Sequence, residues 1–199
     1  PGVDTYRVRV DNRDDLWLAT AVQGLLRIRD QEVREFRYSR SDPASLPSDV
    51  VWTIHETRDG VLWVGTLGGG LARFDRESES FERFGPQQGR ILYLGDSSDG
   101  GLWVGTLGDG AYKLFEGQIT QTVGTADGLP SKDVACVLED GNGGAWLGTG
   151  AGLARLDLAS GRIALYDKTD GLPGTSFLGE ACQALPSGRM LFGMDEGLL

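Results

Sequence analysis

The segment DGVLWVGTLGGGLARFD, residues 59–75, decides the fold of this chain. It returns as DDLWLATAVQGLLRIR (14–29), DGGLWVGTLGDGAYKLF (99–115), NGGAWLGTGAGLARLD (142–157) and SGRMLFGMDEGLL (187–199). Counted between the equivalent positions, the repeats are spaced by 46, 40, 43 and 45 residues. The positions counted are Trp17, Trp63, Trp103, Trp146 and Leu191. Periods of this length are typical of β-propeller blades.

Each repeat is predicted to form four short antiparallel strands. An alternating apolar run before the tryptophan, as at 51–54 or 134–137, predicts a half-buried first strand. Asp or Asn before Gly predicts the tight turn that follows. The tryptophan opens the second strand, a glycine-rich loop leads to the third, and runs such as 81–84 or 163–166 form the fourth.

The fold class is therefore all-β, a propeller with five four-stranded blades visible, the last of them incomplete. The 31 glycines argue against long helices, because each one destabilises a helix interior. We expect one propeller segment over 1–199, with blades at approximately 3–40, 48–85, 90–124, 132–167 and 176–199.

Tryptophan and the glycine two residues later are interpreted as structural anchors of the blades. A glycine here lets the backbones of neighbouring strands approach closely. A phosphate cradle would need a helix directly after the glycine-rich loop, and no helix is predicted there. The anchors are Trp17, Trp63, Trp103, Trp146, Gly65, Gly105 and Gly148.

Charge and hydropathy exclude several classes of partner. The net charge is −10, so the field of the protein repels phosphate backbones and nucleic acid is not an expected ligand. No stretch approaches the roughly 18–20 apolar residues that span a bilayer, so we expect no membrane contact by this segment. The start PGVDTYRVRV has neither an initiator Met nor a secretion leader, which suggests an excerpt of a longer protein.

Cys136 and Cys182 are too few for a disulfide framework, and each lies in an apolar stretch. We expect two small buried thiols with no bridge between them, no metal site and no cofactor. The segment DGNGG at 140–144 has too few oxygen ligands for a calcium loop and is interpreted as a hairpin turn.

The motif resembles a known family, the two-component regulator propeller repeats. These repeats form the extracytoplasmic sensor region of hybrid histidine kinases and related diguanylate cyclases. The likeness rests on DGLPS at 127–131 before VACVLED and AWLGT, and on LPS at 46–48 before VWTIHE. The last repeat, with MLFG at 190–193 in place of the tryptophan motif, is similar to the closing blade of that family.

The resemblance implies a function and a location. It implies a seven-bladed ring of which this chain holds the C-terminal five blades, in a parent protein anchored in the inner membrane. The segment would lie in the periplasm or elsewhere outside the cytoplasm, bind a small solute such as an oligosaccharide, and relay the signal to an output domain. Any homodimer would form through the parent protein.

Candidate ligand-binding residues lie in the loops between the second and third strands and in the links between blades. In an up-down-up-down blade these segments share one face, and loops on a rigid scaffold are where binding usually occurs. The sole histidine, His55, is interpreted as packing or channel lining. The candidates are Gln88, Arg90, Asp109 and Lys132.

Two other functions remain open. The propeller could be a protein–protein interaction platform, which exposed aromatic side chains on the loop face would favour. It could also be a glycosidase or lyase, and SDGGLW at 98–103 resembles the aspartate box of sialidases. Most acids here recur at blade turns, whereas catalytic groups should break the repeat, so we expect no catalytic residues and no enzyme activity in this segment.

Overall fold

A computed structural model describes residues 3–199 and is built almost entirely of antiparallel strands. The predicted all-β propeller class is confirmed, with the last sheet reduced to three strands. In the part of the chain described, the helical segments are two 3-10 turns, Thr125–Asp127 and Lys168–Asp170. No helix within residues 3–199 has the length and apolar character needed to cross a membrane.

The chain forms two compact units, and the division falls between Ile91 and Leu92. Unit 1 holds blades 1 and 2. Blade 1 consists of β1 (Thr5–Val10), β2 (Leu16–Thr20), β3 (Leu25–Arg29) and β4 (Glu32–Phe36). Blade 2 consists of β5 (Val51–Glu56), β6 (Leu62–Thr66), β7 (Leu71–Asp75) and β8 (Ser80–Phe84).

Unit 2 holds blades 3, 4 and 5. Blade 3 consists of β9 (Ile91–Asp96), β10 (Leu102–Thr106), β11 (Ala111–Phe115) and β12 (Gln118–Val123). Blade 4 consists of β13 (Val134–Glu139), β14 (Gly144–Thr149), β15 (Gly152–Asp157) and β16 (Ile163–Tyr166). Blade 5 consists of β17 (Phe177–Ala184), β18 (Met190–Met194) and β19 (Gly197–Leu198).

Each unit has its own apolar core, made where one blade packs on the next. Trp17 and Trp103 are fully buried, the first in unit 1 and the second in unit 2. In every four-stranded blade the tryptophan pairs across the ladder with a cation on the third strand, and three of the four cations lie within cation–π distance of the indole. The pairs are Trp17 with Arg27, Trp63 with Arg73, Trp103 with Lys113, and Trp146 with Arg155.

The glycine after the tryptophan lies where the next blade begins. A Cβ on Gly148 would come 2.9 Å from the ring of Phe177, the first residue of β17. A Cβ on Gly105 would come 2.5 Å from the carbonyl oxygen of Val134, the first residue of β13. A side chain at either position would push neighbouring blades apart, which agrees with a packing role for these glycines.

A glutamate at the end of the first strand ties one blade to the turn of the preceding blade. In unit 2, Glu139 accepts hydrogen bonds from Trp103 Nε1 (2.7 Å), Ser97 Oγ (2.6 Å) and Ser98 N (3.0 Å). In unit 1, Glu56 accepts one from Asn12 N (2.9 Å). Burial acts to raise the pKa of Glu139, but these hydrogen bonds outweigh it and hold the pKa below its ordinary value.

The expectation of two free thiols was wrong, because the structure joins Cys136 to Cys182 by a disulfide. Cys136 lies on β13 and Cys182 on β17, the first strands of blades 4 and 5, with Cα atoms 6.3 Å apart. The sequence concealed this pairing because the two residues are 46 positions apart and meet only when successive blades pack. That separation is one residue more than the 45-residue spacing of Trp146 and Leu191, so the two cysteines lie at adjacent rather than equivalent positions of neighbouring first strands.

Candidate functional site

The loops between second and third strands are hydrogen-bonded to the links between blades. In blades 1 to 3 the last glycine of the loop donates its N–H to the link that follows the blade: Gly24 to Asp49 O, Gly70 to Gly89 O, and Gly110 to Lys132 O, at 2.7–2.9 Å. In blade 4, Gly150 donates to Asp133 O of the preceding link. In each unit, loops and links therefore lie on one face, which we call the loop face. This is the surface on which the sequence places its candidate ligand-binding residues.

A buried threonine at the end of the second strand holds each loop in shape. In blade 3, Thr106 Oγ1 donates to Gly110 O (2.8 Å) and accepts from Asp109 N (3.1 Å). The other blades repeat this arrangement with Thr20, Thr66 and Thr149. The sequence analysis missed this role, although threonine in this position in all four full blades was the available sign.

Two of the four candidate residues, Asp109 and Lys132, line the same pocket on the loop face of unit 2. Its volume is about 220 Å³, and glycine backbone together with Thr125 and Ala126 forms the rest of the wall. Both charged side chains are exposed, and within residues 3–199 neither one makes an ion pair or a side-chain hydrogen bond. The pocket therefore offers an acceptor and a donor of opposite charge that the fold does not use.

Asp109 departs from its equivalents in the other loops. The corresponding positions hold Gln23, Gly69 and Ala151. At Gly69 a Cβ would come 2.5 Å from the carbonyl oxygen of Pro47, so the loop of blade 2 leaves no room for a side chain. Among blades 1 to 4, an acid at this position occurs in blade 3 alone.

The other two candidates, Gln88 and Arg90, lie in unit 1, in the link between β8 and β9. Both are exposed, and Arg90 forms an isolated antiparallel bridge with Leu67 of the loop in blade 2. They share the loop face of unit 1 but do not line the pocket of Asp109 and Lys132.

His55 lies on β5, partly buried and paired across the ladder with Trp63. Within residues 3–199, no group of three or more His, Cys, Asp or Glu side chains is arranged to hold a metal ion. The lowered pKa values of Asp75 and Asp157 have a structural cause, because hydrogen bonds from the turn residues Ser78 and Ser160 stabilise the carboxylates.

Comparison with known proteins identifies the repeats. The model of the two component regulator propeller family matches residues 45–68 and 128–151. Each match contains an LPS-type link and the tryptophan motif of one blade, in blade 2 and in blade 4. No curated protein matches the chain significantly.

Solved structures share the fold along the whole chain. The extracellular domain of the putative hybrid two component system BT3049 from B. thetaiotaomicron has a TM-score of 0.85 and 20% identity, with 100% of this chain and 28% of that one covered. The corresponding domain of BT4673 from the same organism has a TM-score of 0.79 and 17% identity, with 100% and 31% covered. XC5397, a gluconolactonase from Xanthomonas campestris, has a TM-score of 0.64 and 17% identity, with 98% and 70% covered.

The chain spans less than a third of the length of the two extracellular domains. Likeness at these identities extends to the fold alone. The motif matches and the blade geometry agree, and the chain is thus a β-propeller segment in which blades 2 and 4 match the two component regulator propeller repeat.

Proposed function

We propose that this chain is the sensing propeller segment of a bacterial transmembrane signalling protein of the two-component or cyclic-di-GMP type. It binds a small polar solute, such as a carbohydrate, on its loop face and relays binding to an output domain. The observation that carries the proposal is the pocket in unit 2, where Asp109 and Lys132 present opposite charges and their side chains have no partner among residues 3–199.

The chemistry of the pocket suits a polar solute. The Asp109 carboxylate accepts hydrogen bonds, the Lys132 ammonium donates them, and the Thr125 hydroxyl does both. At about 220 Å³ the pocket is smaller than the roughly 300–1,000 Å³ sites that enclose drug-sized ligands. It therefore fits one sugar unit or a solute of that size, held against glycine backbone.

Two observations support a location outside the cytoplasm. The structural neighbours BT3049 and BT4673 are described as extracellular domains. The Cys136–Cys182 disulfide is of the kind that persists in oxidising compartments and is rare in the cytosol. On the same reasoning we propose that this segment lies in the periplasm, in a parent protein anchored in the inner membrane.

We further propose that the segment is not itself an enzyme, although one neighbour is a gluconolactonase. The acids with lowered pKa values serve blade turns or blade contacts, as Asp75, Asp140 and Glu139 do. Asp109 and Lys132 can hydrogen-bond a solute, but they do not form, with a third catalytic side chain, a set arranged around one reacting atom. Hydrolysis would need convergent groups around one reacting atom.

A thermal-shift screen tests the proposal, with oligosaccharides, amino acids and dicarboxylates as probes. A ligand at 100 times its dissociation constant stabilises the folded state by about 2.7 kcal/mol, which is a rise in Tm of roughly 5–10 °C at this size. Asp109→Ala and Lys132→Ala should each abolish the shift. Gln23→Ala, the equivalent position in blade 1, should leave it unchanged. A panel with no shift, or a shift that survives both pocket substitutions, contradicts the proposal.

A further inference from the structure

A second groove lies away from the loop face, at the outer end of the contact between blades 3 and 4. It has a volume of about 600 Å³. Blade 3 contributes Lys113, Phe115, Thr120 and Gln121, and the turn 158–161 of blade 4 forms the opposite wall. The groove continues the interface that buries Trp103 and Glu139 between the same two blades.

Unit 1 has a groove along the corresponding strands of blade 1, and an ionic clasp from blade 2 lies beside it. Glu79, in the turn after β7, pairs with Arg27 (2.7 Å) and Arg34 (2.8 Å) of blade 1. Arg27 beside the carboxylate holds the pKa of Glu79 below its ordinary value. This groove, of about 540 Å³, is lined by six residues of which five are charged.

The described part of unit 2 has no such clasp, and each of the three positions holds a different residue. Glu79 and Gly161 each lie four residues after the aspartate that ends the third strand, and both have positive φ, 51° and 72°. Lys113 replaces Arg27 opposite the tryptophan, and Gln121 replaces Arg34 across the ladder. Lys113 is neutralised locally by Asp99 at 2.6 Å. The groove of unit 2 is therefore electrically neutral and unbridged.

Phe115 is the one apolar residue that ends a third strand in blades 1 to 4. Its equivalents are Arg29, which pairs with Asp15, and Asp75 and Asp157, which accept hydrogen bonds from the following turn. Phe115 makes no such cap, since the chain turns at once through Glu116 and Gly117, and its ring remains 37% exposed. An exposed aromatic side chain beside a neutral groove is the usual anchor of a partner, because it supplies apolar area at low conformational cost.

The edge of the groove is a free strand. β12 is the outermost strand of blade 3, with sequence QITQTV, and no described strand pairs with its outer side. It has a bulge at Thr120 and a regular ladder over Gln121–Val123. The edge strands β4 and β8 carry Glu and Arg, as expected of protected edges, whereas β12 and β16 in unit 2 carry no charge. Of these two, β12 is the one that lines the groove.

From this geometry we infer that the groove between blades 3 and 4 binds an extended, uncharged segment of a partner polypeptide. The segment pairs through its main chain with the edge of β12 at Gln121–Val123 and places alternate side chains against Phe115 and Leu158. Strand addition of this kind uses main-chain hydrogen bonds for affinity and pockets for alternate side chains for specificity. A neutral partner fits because the one ion pair in the groove is internally balanced.

Selection of phage-displayed random seven-residue peptides on the full chain tests the inference. We expect enrichment of uncharged peptides with alternating apolar residues. Building the clasp of unit 1 into unit 2, with Gly161→Glu and Gln121→Arg, should weaken the selected peptides at least about tenfold, or ~1.4 kcal/mol. A Cβ at Gly161 meets no atom within 4 Å, and although its φ of 72° is strained for a side chain, Glu79 adopts a φ of 51° at the equivalent position. Arg34→Gln, the mirror change in unit 1, should not affect binding.

Main-chain pairing has its own test in the selected peptides. N-methylation of alternate residues in one register should abolish binding, and in the other register should not, because only every second residue of an added strand faces β12. Hydrogen exchange should slow at 121–123 on binding. Failure to enrich any peptide, equal binding to the clasped variant, or displacement of the peptides by a neutral oligosaccharide would overturn the inference. The loop-face pocket is not involved, so its own test stands apart from this result.

Discussion

At the scale of single residues, Glu139 shows how one side chain connects two blades. Its carboxylate accepts from the buried indole of Trp103 and from both residues of the Ser97–Ser98 turn. Glu139→Ala should lower the free energy of unfolding by about 3 kcal/mol, because charge-assisted bonds are lost and a buried N–H is left unpaired. Urea denaturation measures the loss. Glu32→Ala, at an exposed glutamate whose side chain makes no hydrogen bond within residues 3–199, is the control and should change little.

The same carboxylate makes stability depend on pH. Because the pKa of Glu139 is lowered on folding, its contribution is complete above the pKa of the unfolded chain and is lost as pH falls through the folded pKa. The stability difference between the wild type and Glu139→Gln should therefore shrink as pH falls below about 4.5. Denaturation of both proteins between pH 7 and pH 3 would show this. A constant difference over that range would contradict the view that the Glu139 carboxylate is ionised when it accepts these hydrogen bonds.

Thr106 is the residue on which the shape of the candidate site depends. Thr106→Val keeps the volume but removes both side-chain hydrogen bonds to the loop carrying Asp109. We expect a loss of about 2 kcal/mol and faster hydrogen exchange at 107–110, since the Asp109 N–H loses its acceptor and Gly110 O keeps only the Thr106 N–H as donor. Thr106→Ser keeps the hydroxyl and should retain slow exchange. Equal exchange in the two variants would show that the backbone alone fixes the loop.

At the scale of the blade, the close approach of successive strands limits what the repeat tolerates. Gly148→Ala would place a Cβ 2.9 Å from the Phe177 ring and should cost about 1–3 kcal/mol by overpacking. Phe177→Leu in the same chain should recover part of that loss, and a double-mutant cycle measures the coupling. Gly124→Ala, on extended backbone with its nearest atom 3.9 Å away, is a control in the same unit. Additive effects of the two changes at 148 and 177 would contradict direct contact.

Blade architecture could be predicted from sequence because it repeats. Alternation, turn residues and the tryptophan spacing each report local geometry, and five copies of the motif reinforce one another. Contacts between blades were not accessible in this way. In the sequence, Glu139 is indistinguishable from the other acids that precede turns, and Cys136 is typical of a small buried residue. Their partners, Trp103 and Cys182, come from neighbouring blades and are identified only in the folded structure.

For the candidate site, the sequence could predict which face of the blades carries it but not which residues meet there. Loops and links on one face follow from strand direction, and that reasoning selected Asp109 and Lys132. It could not show that these two line one pocket in unit 2 while Gln88 and Arg90 lie in unit 1. The groove beside Phe115 could not be predicted from the sequence. Its lack of bridging charges becomes visible only when Lys113 and Gln121 are aligned with Arg27 and Arg34, and the cross-strand registers are needed for that alignment.

At the scale of the whole molecule, the two units should differ in their response to reductant. Both cysteines lie in unit 2, where the disulfide closes a loop of about 46 residues. In the chain-entropy account a loop of that length stabilises the fold by about 4 kcal/mol. Reduction, or the pair Cys136→Ser and Cys182→Ser, should therefore lower the stability of unit 2 by that order.

Hydrogen exchange resolved by peptide can separate the two units under native conditions. With the disulfide removed, amides of β13 and β17 should exchange faster, while those of β5 and β6 in unit 1 keep their protection. The outcome distinguishes local unfolding of one unit from cooperative unfolding of the whole chain. If only unit 2 responds, the blades unfold as neighbours in a repeat array, with stability held locally. If protection falls equally in unit 1, the chain unfolds as one cooperative body, and binding at the pocket in unit 2 would then stabilise every blade.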